Sequence, residues 1–362
     1  MKQKLQYLKY SIREKSLIFL TYVLIFIGLC ILFSASKGVI TKEGFFIKQV
    51  LWIILGTILL YIFRNSDYRK LEKLSYLFYF LTLFLLILVL IKGQGRASRW
   101  INLGWFYFQP SEFAKLVIIL TLSSYLSGRD IRKFSTLLVS LIIVGIPFLL
   151  VFKQPNLGTS IIFILIFLGI CYISGMTRKQ LIGLFLVFIF LSPVVWIFLE
   201  DYQRERILTF LNPMRDPLGK GYNLLQSIIT IGSGGFIGKG YLKGTQTKLA
   251  FLPEYHTDFI FCVIAEEFGF LGVLIFIFLY YYFLNRIWEI ICNTRYEFGR
   301  LVATGIFVMF AGQFLINLGM ACGVFPIVGL PLPFISYGGS SLVVSILSIT
   351  ILSSIEKYST YL

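Results

Sequence analysis

The stretch "GFLGVLIFIFLYYYFL", residues 269–284, has sixteen residues and no charge. A soluble domain rarely carries such a run, whereas a helix crossing a hydrocarbon core about 30 Å thick needs about 20 apolar residues. The 362-residue chain repeats this pattern. It is 57% hydrophobic, 17% aromatic and only 14% charged, so lipid is the expected solvent for much of its surface. Ten runs are long enough to span: roughly 17–36, 45–63, 74–92, 111–128, 134–152, 158–174, 180–199, 259–285, 300–322 and 338–356. The first is too long for a signal-peptide core. The expectation is an all-α polytopic membrane protein with about ten transmembrane helices.

Immediately before the quoted stretch lies "LPEYHTDFIF", residues 252–261, with the chain's only histidine, His256, and a carboxylate, Asp258. It closes a loop of about 58 residues, 200–258, between the seventh and eighth runs. A connector that long is functional or disordered. Its apolar content argues for order, with short amphipathic helices on the membrane. The net charge of +16 would suggest nucleic acid in a soluble protein. Here Lys and Arg sort by side, with the larger share on "KQKLQYLKYSIREK", "RNSDYRKLEK", "GRDIRK", "TRK" and "RIWEIICNTRYEFGR". The positive-inside rule then puts both termini in the cytoplasm and the 200–258 loop outside. No nucleic-acid partner is expected. Cys30, Cys171, Cys262, Cys292 and Cys322 sit in or beside apolar runs without CxxC spacing and read as buried thiols.

Polar sequence collects in four places near the outer face. In "GQGRASRWINLGWFYFQPSEFAKL", residues 93–116, Arg96 and Arg99 accompany an aromatic cluster suited to the headgroup layer. Pro110 and Ser111 open a helix with Glu112 in its first turn, and Lys115 falls on the same side. A charge inside a membrane helix costs about 2.5–3.5 kcal/mol, so this pair is a functional candidate. A structural ion pair is the equal alternative. In "FKQPNLGTS", residues 152–160, a turn with helix caps is as good a reading as ligand contact.

The long loop carries Arg204, Arg206, Lys239, Lys243 and Lys248, basic residues able to meet a phosphorylated headgroup. Its "GSGGFIGKG", residues 232–240, lacks the GKS or GKT ending of a nucleotide P-loop and reads as a flexible turn. The fourth place is "GVFPIVGLPLPFISYGGSSL", residues 323–342, uncharged and broken by three prolines. Irregular backbone at membrane depth belongs inside protein or along a cavity. Asp258 suits a general base or a metal ligand, or a plain helix N-cap, a job Thr257 could share. His256 would orient it or bind phosphate; a single histidine cannot build a multi-histidine metal site.

These residues resemble the RodA/FtsW/SpoVE family of bacterial cell-wall polymerases, the SEDS proteins. The resemblance covers nearly the whole chain. It rests on "GRASRWINLG", "FQPSEFAKL", "YQRERILTFLNP", "DPLGKGYNLLQS", "IGSGGFIGKG", "FLPEYHTDFIF", "AEEFGFLG" and "LPFISYGGSSL". "GKGYLKGTQTKLAFLPEYHTDF" is similar to the RodA branch. One departure is Asn156, where the family commonly has Asp. The resemblance implies one integral membrane domain over 1–362, in the bacterial cytoplasmic membrane. It implies a peptidoglycan glycosyltransferase acting on lipid II, with undecaprenyl pyrophosphate leaving.

It places the family's essential aspartate at Asp258 and its charged helix pair at Glu112 and Lys115. Arg206, Arg96 and Lys239 join them as substrate contacts facing the pyrophosphate, with Gln246, Glu254 and His256 nearby. A class B penicillin-binding protein is the implied partner. No cofactor is certain. A divalent cation, magnesium or manganese, stays open because Asp216, Glu254 and Asp258 all lie on the outer side. A lipid II flippase remains the alternative, although no paired broken helices are legible.

Overall fold

A computed structural model describes residues 2–36, 43–92, 99–102, 104, 106–219, 221–249 and 251–359. Helices occupy each of the ten apolar runs: α1 (Lys2–Ser36), α2 (Glu43–Phe63), α3 (Arg69–Lys92), α4 (Pro110–Leu126), α5 (Phe134–Lys153), α6 (Leu157–Ile173), α7 (Arg178–Phe198), and, beyond the long loop, α11 (Ile260–Asn293), α12 (Glu297–Ala321) and α13 (Gly339–Ser359). Among the described residues, seven helices are long and apolar enough to cross a membrane, and α6 is a shorter apolar helix. A two-residue hairpin, β1 (Ile101–Asn102) on β2 (Tyr107–Phe108), pairs Ile101 with Phe108 just before α4.

Local chemistry sets several helix starts. Pro110 begins α4 at a position where a missing N–H costs nothing. Thr177 and Gln180 close a capping box on α7. Asn156 caps α6 by accepting from the Thr159 N–H. Inside the bundle, α12 packs against α4, α6 and α11, while α13 packs against α1, α2 and α4. Large apolar side chains such as Phe19, Phe80, Phe84 and Phe190 point outward, as lipid-facing surfaces require.

The long loop is ordered into α8 (Asp201–Leu211), a 3-10 turn at Pro213–Arg215, α9 (Tyr222–Ser233) and α10 (Thr245–Lys248). Helix α9 buries Leu224, Ser227 and Thr230 and leaves Ile228 and Ile229 exposed. It packs on α11 and α12.

Hydropathy does not reveal that α11 is broken. Gly269 has φ 63° and ψ −163°, a backbone that glycine alone adopts easily. A break there removes the bonds from the 270 and 271 N–H groups to the 266 and 267 carbonyls. The loop supplies all four orphaned groups with new partners. Phe270 N donates to Gly235 O at 3.0 Å and Leu271 N to Phe236 O at 3.1 Å, while Glu266 O and Glu267 O accept from Lys239 N at 3.0 Å and Gly240 N at 2.9 Å.

The 232–240 stretch is therefore an insert in a helical ladder rather than the flexible turn its glycines suggest. Its small residues let two backbones touch: a Cβ on Gly269 would stand 2.3 Å from Gly238 N. The segment 323–338, between α12 and α13, has no regular structure yet buries Val328, Leu330, Leu332, Phe334 and Ile335. It matches the irregular, protein-buried backbone expected from its prolines.

Candidate functional site

Asp258 stands where the long loop enters α11. The N-cap position belongs to Phe259 and no side chain caps the helix, so the Asp258 carboxylate is not spent there. The backbone around it is fixed by three successive carbonyls. His256 O accepts from Tyr337 N at 2.9 Å, Thr257 O from Ser336 Oγ at 2.6 Å, and Asp258 O from Asn317 Nδ2 at 2.9 Å. Ser336 Oγ also accepts from Leu332 N. The irregular 323–338 segment and α12 thus grip the residues that carry the carboxylate. Gly329, with φ 71°, makes room for it: a Cβ there would lie 3.2 Å from Asp258 Oδ2.

Burial raises the Asp258 pKa to about 6, Glu254 adds to the rise, and Arg99 and Arg206 oppose it. Asp258 as a whole residue is half-buried. Arg206 lies below its ordinary value, first through burial and then through the Arg99 charge. Its guanidinium sits 5.8 Å from the Tyr202 ring centre. Glu254 is exposed, with Oε2 3.2 Å from Thr257 Oγ1 and 3.8 Å from His256 Nε2. The buried His256 ring stacks on Phe45 of α2, with centroids 4.7 Å apart and planes 9° apart.

Lys115 Nζ meets Glu112 Oε2 at 2.8 Å, with side chains 1% and 4% exposed. Neighbouring Ser111 Oγ accepts from Gln109 Nε2 and Asn156 Nδ2, each at 3.1 Å. Two residues beyond Asn156, Gly158 faces Leu330 and Val328, next to the Gly329 that abuts Asp258. The start of α4 and the Asp258 carboxylate are thus joined to one irregular segment, the first through Asn156 and Gly158 and the second through Gly329, and among the described residues no hydrogen bond links the charged pair to Asp258.

Lys239 and Gln246 gather elsewhere, around Glu266 of α11. Lys239 Nζ bonds Glu266 Oε1 at 2.7 Å, and Ser233 Oγ and Thr245 Oγ1 at 2.8 Å. Glu266 also accepts from the N–H groups of Thr245 and Gln246 and from Thr247 Oγ1. Arg96 lies outside the described residues. Among the described residues no three His, Cys, Asp or Glu side chains form a group able to hold a metal, so Asp216, Glu254 and Asp258 do not converge as one.

Sequence reasoning passed over Asn317, Ser336 and Glu266, and set Arg99 behind Arg96. Asn317 and Glu266 did leave a signal, as polar residues inside apolar runs.

The family model described as the cell cycle proteins FtsW, RodA and SpoVE matches residues 15–361. The peptidoglycan glycosyltransferase MrdB of Escherichia coli K12 is 38% identical over 351 residues, covering 95% of this chain and 94% of that protein. The stage V sporulation protein E of Bacillus subtilis is 37% identical, covering 95% and 97%. Among solved structures, a chain described under the structural coordination of polymerization and crosslinking by a peptidoglycan synthase complex superposes with a TM-score of 0.82. It is 32% identical and covers 95% of this chain and 97% of its own. The Thermus thermophilus rod shape determining protein RodA gives 0.71, at 28% identity, covering 95% and 96%.

Proposed function

The chain belongs to the FtsW/RodA/SpoVE family, and we propose that it polymerises lipid II with Asp258 as the general base. At the coarser level it is a multi-pass membrane protein and a peptidoglycan glycosyltransferase. The finer reading rests on the state of Asp258: its carboxylate caps nothing, its backbone is fixed by hydrogen bonds to the carbonyls of residues 256–258, and its pKa is lifted to about 6. A positioned base with a pKa near neutrality contributes roughly 10²–10⁴-fold in rate.

In this mechanism Asp258 takes the proton from the 4-hydroxyl of the acceptor N-acetylglucosamine. That oxygen bonds to the anomeric carbon of the donor N-acetylmuramic acid. The bond from that carbon to the diphosphate breaks, and undecaprenyl pyrophosphate leaves with the electron pair. One displacement inverts an α-linked donor into a β-1,4 linkage. Arg206 offsets charge on the departing diphosphate, and the buried Glu112–Lys115 pair is a further substrate contact. The domain is the whole chain. The Lys and Arg distribution supports cytoplasmic termini and an outward site. Cross-linking falls to a class B penicillin-binding protein of the elongation machinery, in keeping with the assembly named for the structural neighbour.

The test is strand synthesis from purified lipid II with the cognate penicillin-binding protein, wild type against Asp258→Asn. Strands from wild type alone, with partner binding intact, support the base. Equal strands from both move the role to Glu254 or Glu112. Strands from neither, with lipid II moved across a bilayer instead, favour the flippase reading.

A further inference from the structure

Helix α12 is largely apolar but carries two carboxamides, Gln313 and Asn317, only 1% and 0% exposed. Four residues apart, they are neighbours on one face of the helix. Both acceptors of Asn317 Nδ2 are backbone carbonyls, those of Asp258 and Leu330. That fixes which end of the amide is which and leaves Oδ1 as an acceptor. Asn317 Oδ1 is buried without a donor, and Gln313 Nε2 is buried without an acceptor. The two atoms are complementary, yet they do not bond each other.

The neighbouring helix leaves the same level short of partners. A Cβ on Gly305 would stand 2.7 Å from the Ile119 side chain of α4. The start of α4 meets the residues just past the end of α12: Ser111 bonds Asn156, and Gly158 faces Val328 and Leu330. The two helices therefore run antiparallel. Glu112 lies seven residues before Ile119, and Gly312 seven residues after Gly305, so Glu112 is level with Gly312 and Gln313. Lys115, one turn on, has a buried ammonium with three donors. Among the described residues it bonds Glu112 alone. Spare donors on both helices and a spare acceptor thus share one level of the bundle.

Buried polar groups nearly always have partners, and where the protein supplies none an ordered water does. One water accepts from Gln313 Nε2 and donates to Asn317 Oδ1. We propose that Gln313, through such a water, is a positioning residue for Asp258. This rests on the glycosyltransferase reading and adds to it a residue too buried to touch substrate. A carboxamide whose oxygen lacks a donor gains by turning toward one, which would release the two carbonyls that Nδ2 holds. A water at Oδ1 removes that gain. It also polarises the amide and strengthens what Nδ2 donates. The base and the Gly329 beside it then keep their spacing.

The experiment pairs two readouts on the full chain with its cognate penicillin-binding protein. The first is a high-resolution cryo-EM map of wild type, which needs neither a variant nor activity. Ordered density bridging the two carboxamides is expected; a direct amide–amide contact, or no density between them, overturns the proposal. The second is strand synthesis from purified lipid II by Gln313→Met, Asn317→Leu and the double variant. Gln313→Met keeps the volume and removes the donor. Its kcat is expected to fall about fivefold or more with KM within about twofold. That fall should vanish in the Asn317→Leu background, because both residues act through one clamp. Gln313→Glu, whose neutral carboxyl still donates from the same place, should keep the higher kcat.

A residue that only supports the fold would lower Tm and leave kcat unchanged, or add its loss to that of Asn317→Leu. Either result overturns the positioning role. Bridging density in a protein that makes no glycan strands keeps the bridge and removes the polymerase reading.

Discussion

Asn317 Nδ2 donates to the backbone carbonyl of Asp258 at 2.9 Å and to that of Leu330 at 2.7 Å. One buried side chain on α12 therefore sets the spacing between the candidate base and the irregular segment whose Gly329 abuts it. Replacing Asn317 by Leu leaves two carbonyls short of a donor, at about 1–3 kcal/mol each. If the clamp positions the base, kcat should fall about tenfold or more while KM stays within about twofold, since small misplacements are costly. Steady-state strand synthesis beside thermal unfolding decides it. A lowered Tm with an unchanged kcat would make Asn317 purely structural.

The raised pKa of Asp258 fixes a pH dependence. A base must be ionised, so activity should rise with pH through about 6 and then level off. Arg99 and Arg206 lower this pKa and Glu254 raises it. Arg206→Gln should therefore move the acid limb to higher pH, and Glu254→Gln to lower pH. Stability has the opposite sign. The folded pKa exceeds the ordinary aspartate value of 3.8, so the folded state holds the proton more tightly. Its stabilising effect is complete below about 4 and is lost as pH rises through about 6. Asp258→Asn should unfold at higher temperature than wild type at pH 7, with the gap closing toward pH 4. A gap independent of pH would rule out this account.

The ten helices were legible because each coincides with a long apolar run, and seven of them are long and apolar enough to cross a membrane. Asp258 was legible as the carboxylate where a polar loop meets an apolar run. Partnerships were not. Lys239 reads as a free cation because its acceptor, Glu266, lies 27 residues away, and only the folded loop joins them. The break at Gly269 hides because a glycine in an apolar run is ordinary, and the backbone that completes its ladder, at residues 235–240, lies about thirty residues earlier in the chain. Asn156, where the family commonly carries Asp, is explained by a donor: its Nδ2 reaches Ser111 Oγ, while its oxygen caps α6.

That last arrangement predicts tolerance. Asn156→Asp retains the capping oxygen, and Asp caps helices as well as Asn does. The Ser111 hydroxyl can turn to donate in place of accepting. Strand synthesis should stay within a few-fold of wild type. A loss of a hundredfold would mean that the added charge disturbs the buried Glu112–Lys115 pair.

The break in α11 predicts a contrast between two glycines. Gly269→Ala places a Cβ 2.3 Å from Gly238 N and 2.6 Å from Ile237 C, at a φ that costs about 1–3 kcal/mol for other residues. The insert must move, and the four bonds it supplies weaken. Gly145 of α5 has nothing within 4 Å of a built Cβ, so Gly145→Ala should be neutral or stabilise by up to about 1 kcal/mol. Unfolding temperatures in one detergent compare them directly. Equal values would show that the break bears no strain.

Lys239 gives the clearest choice between contact with substrate and support of the fold. An ammonium has three donors, and all three are engaged, by Ser233, Thr245 and Glu266. Glu266 is fully buried and accepts from the backbone at both Thr245 and Gln246. Removing the cation strands that carboxylate, which typically costs about 3–5 kcal/mol. Lys239→Met should therefore unfold readily, and Lys239→Met combined with Glu266→Gln should recover part of the loss, because the stranded charge goes with its partner. In whatever folded fraction remains, KM for lipid II should hold near wild type. A Lys239→Met protein with a normal Tm and a raised KM would return this lysine to the substrate.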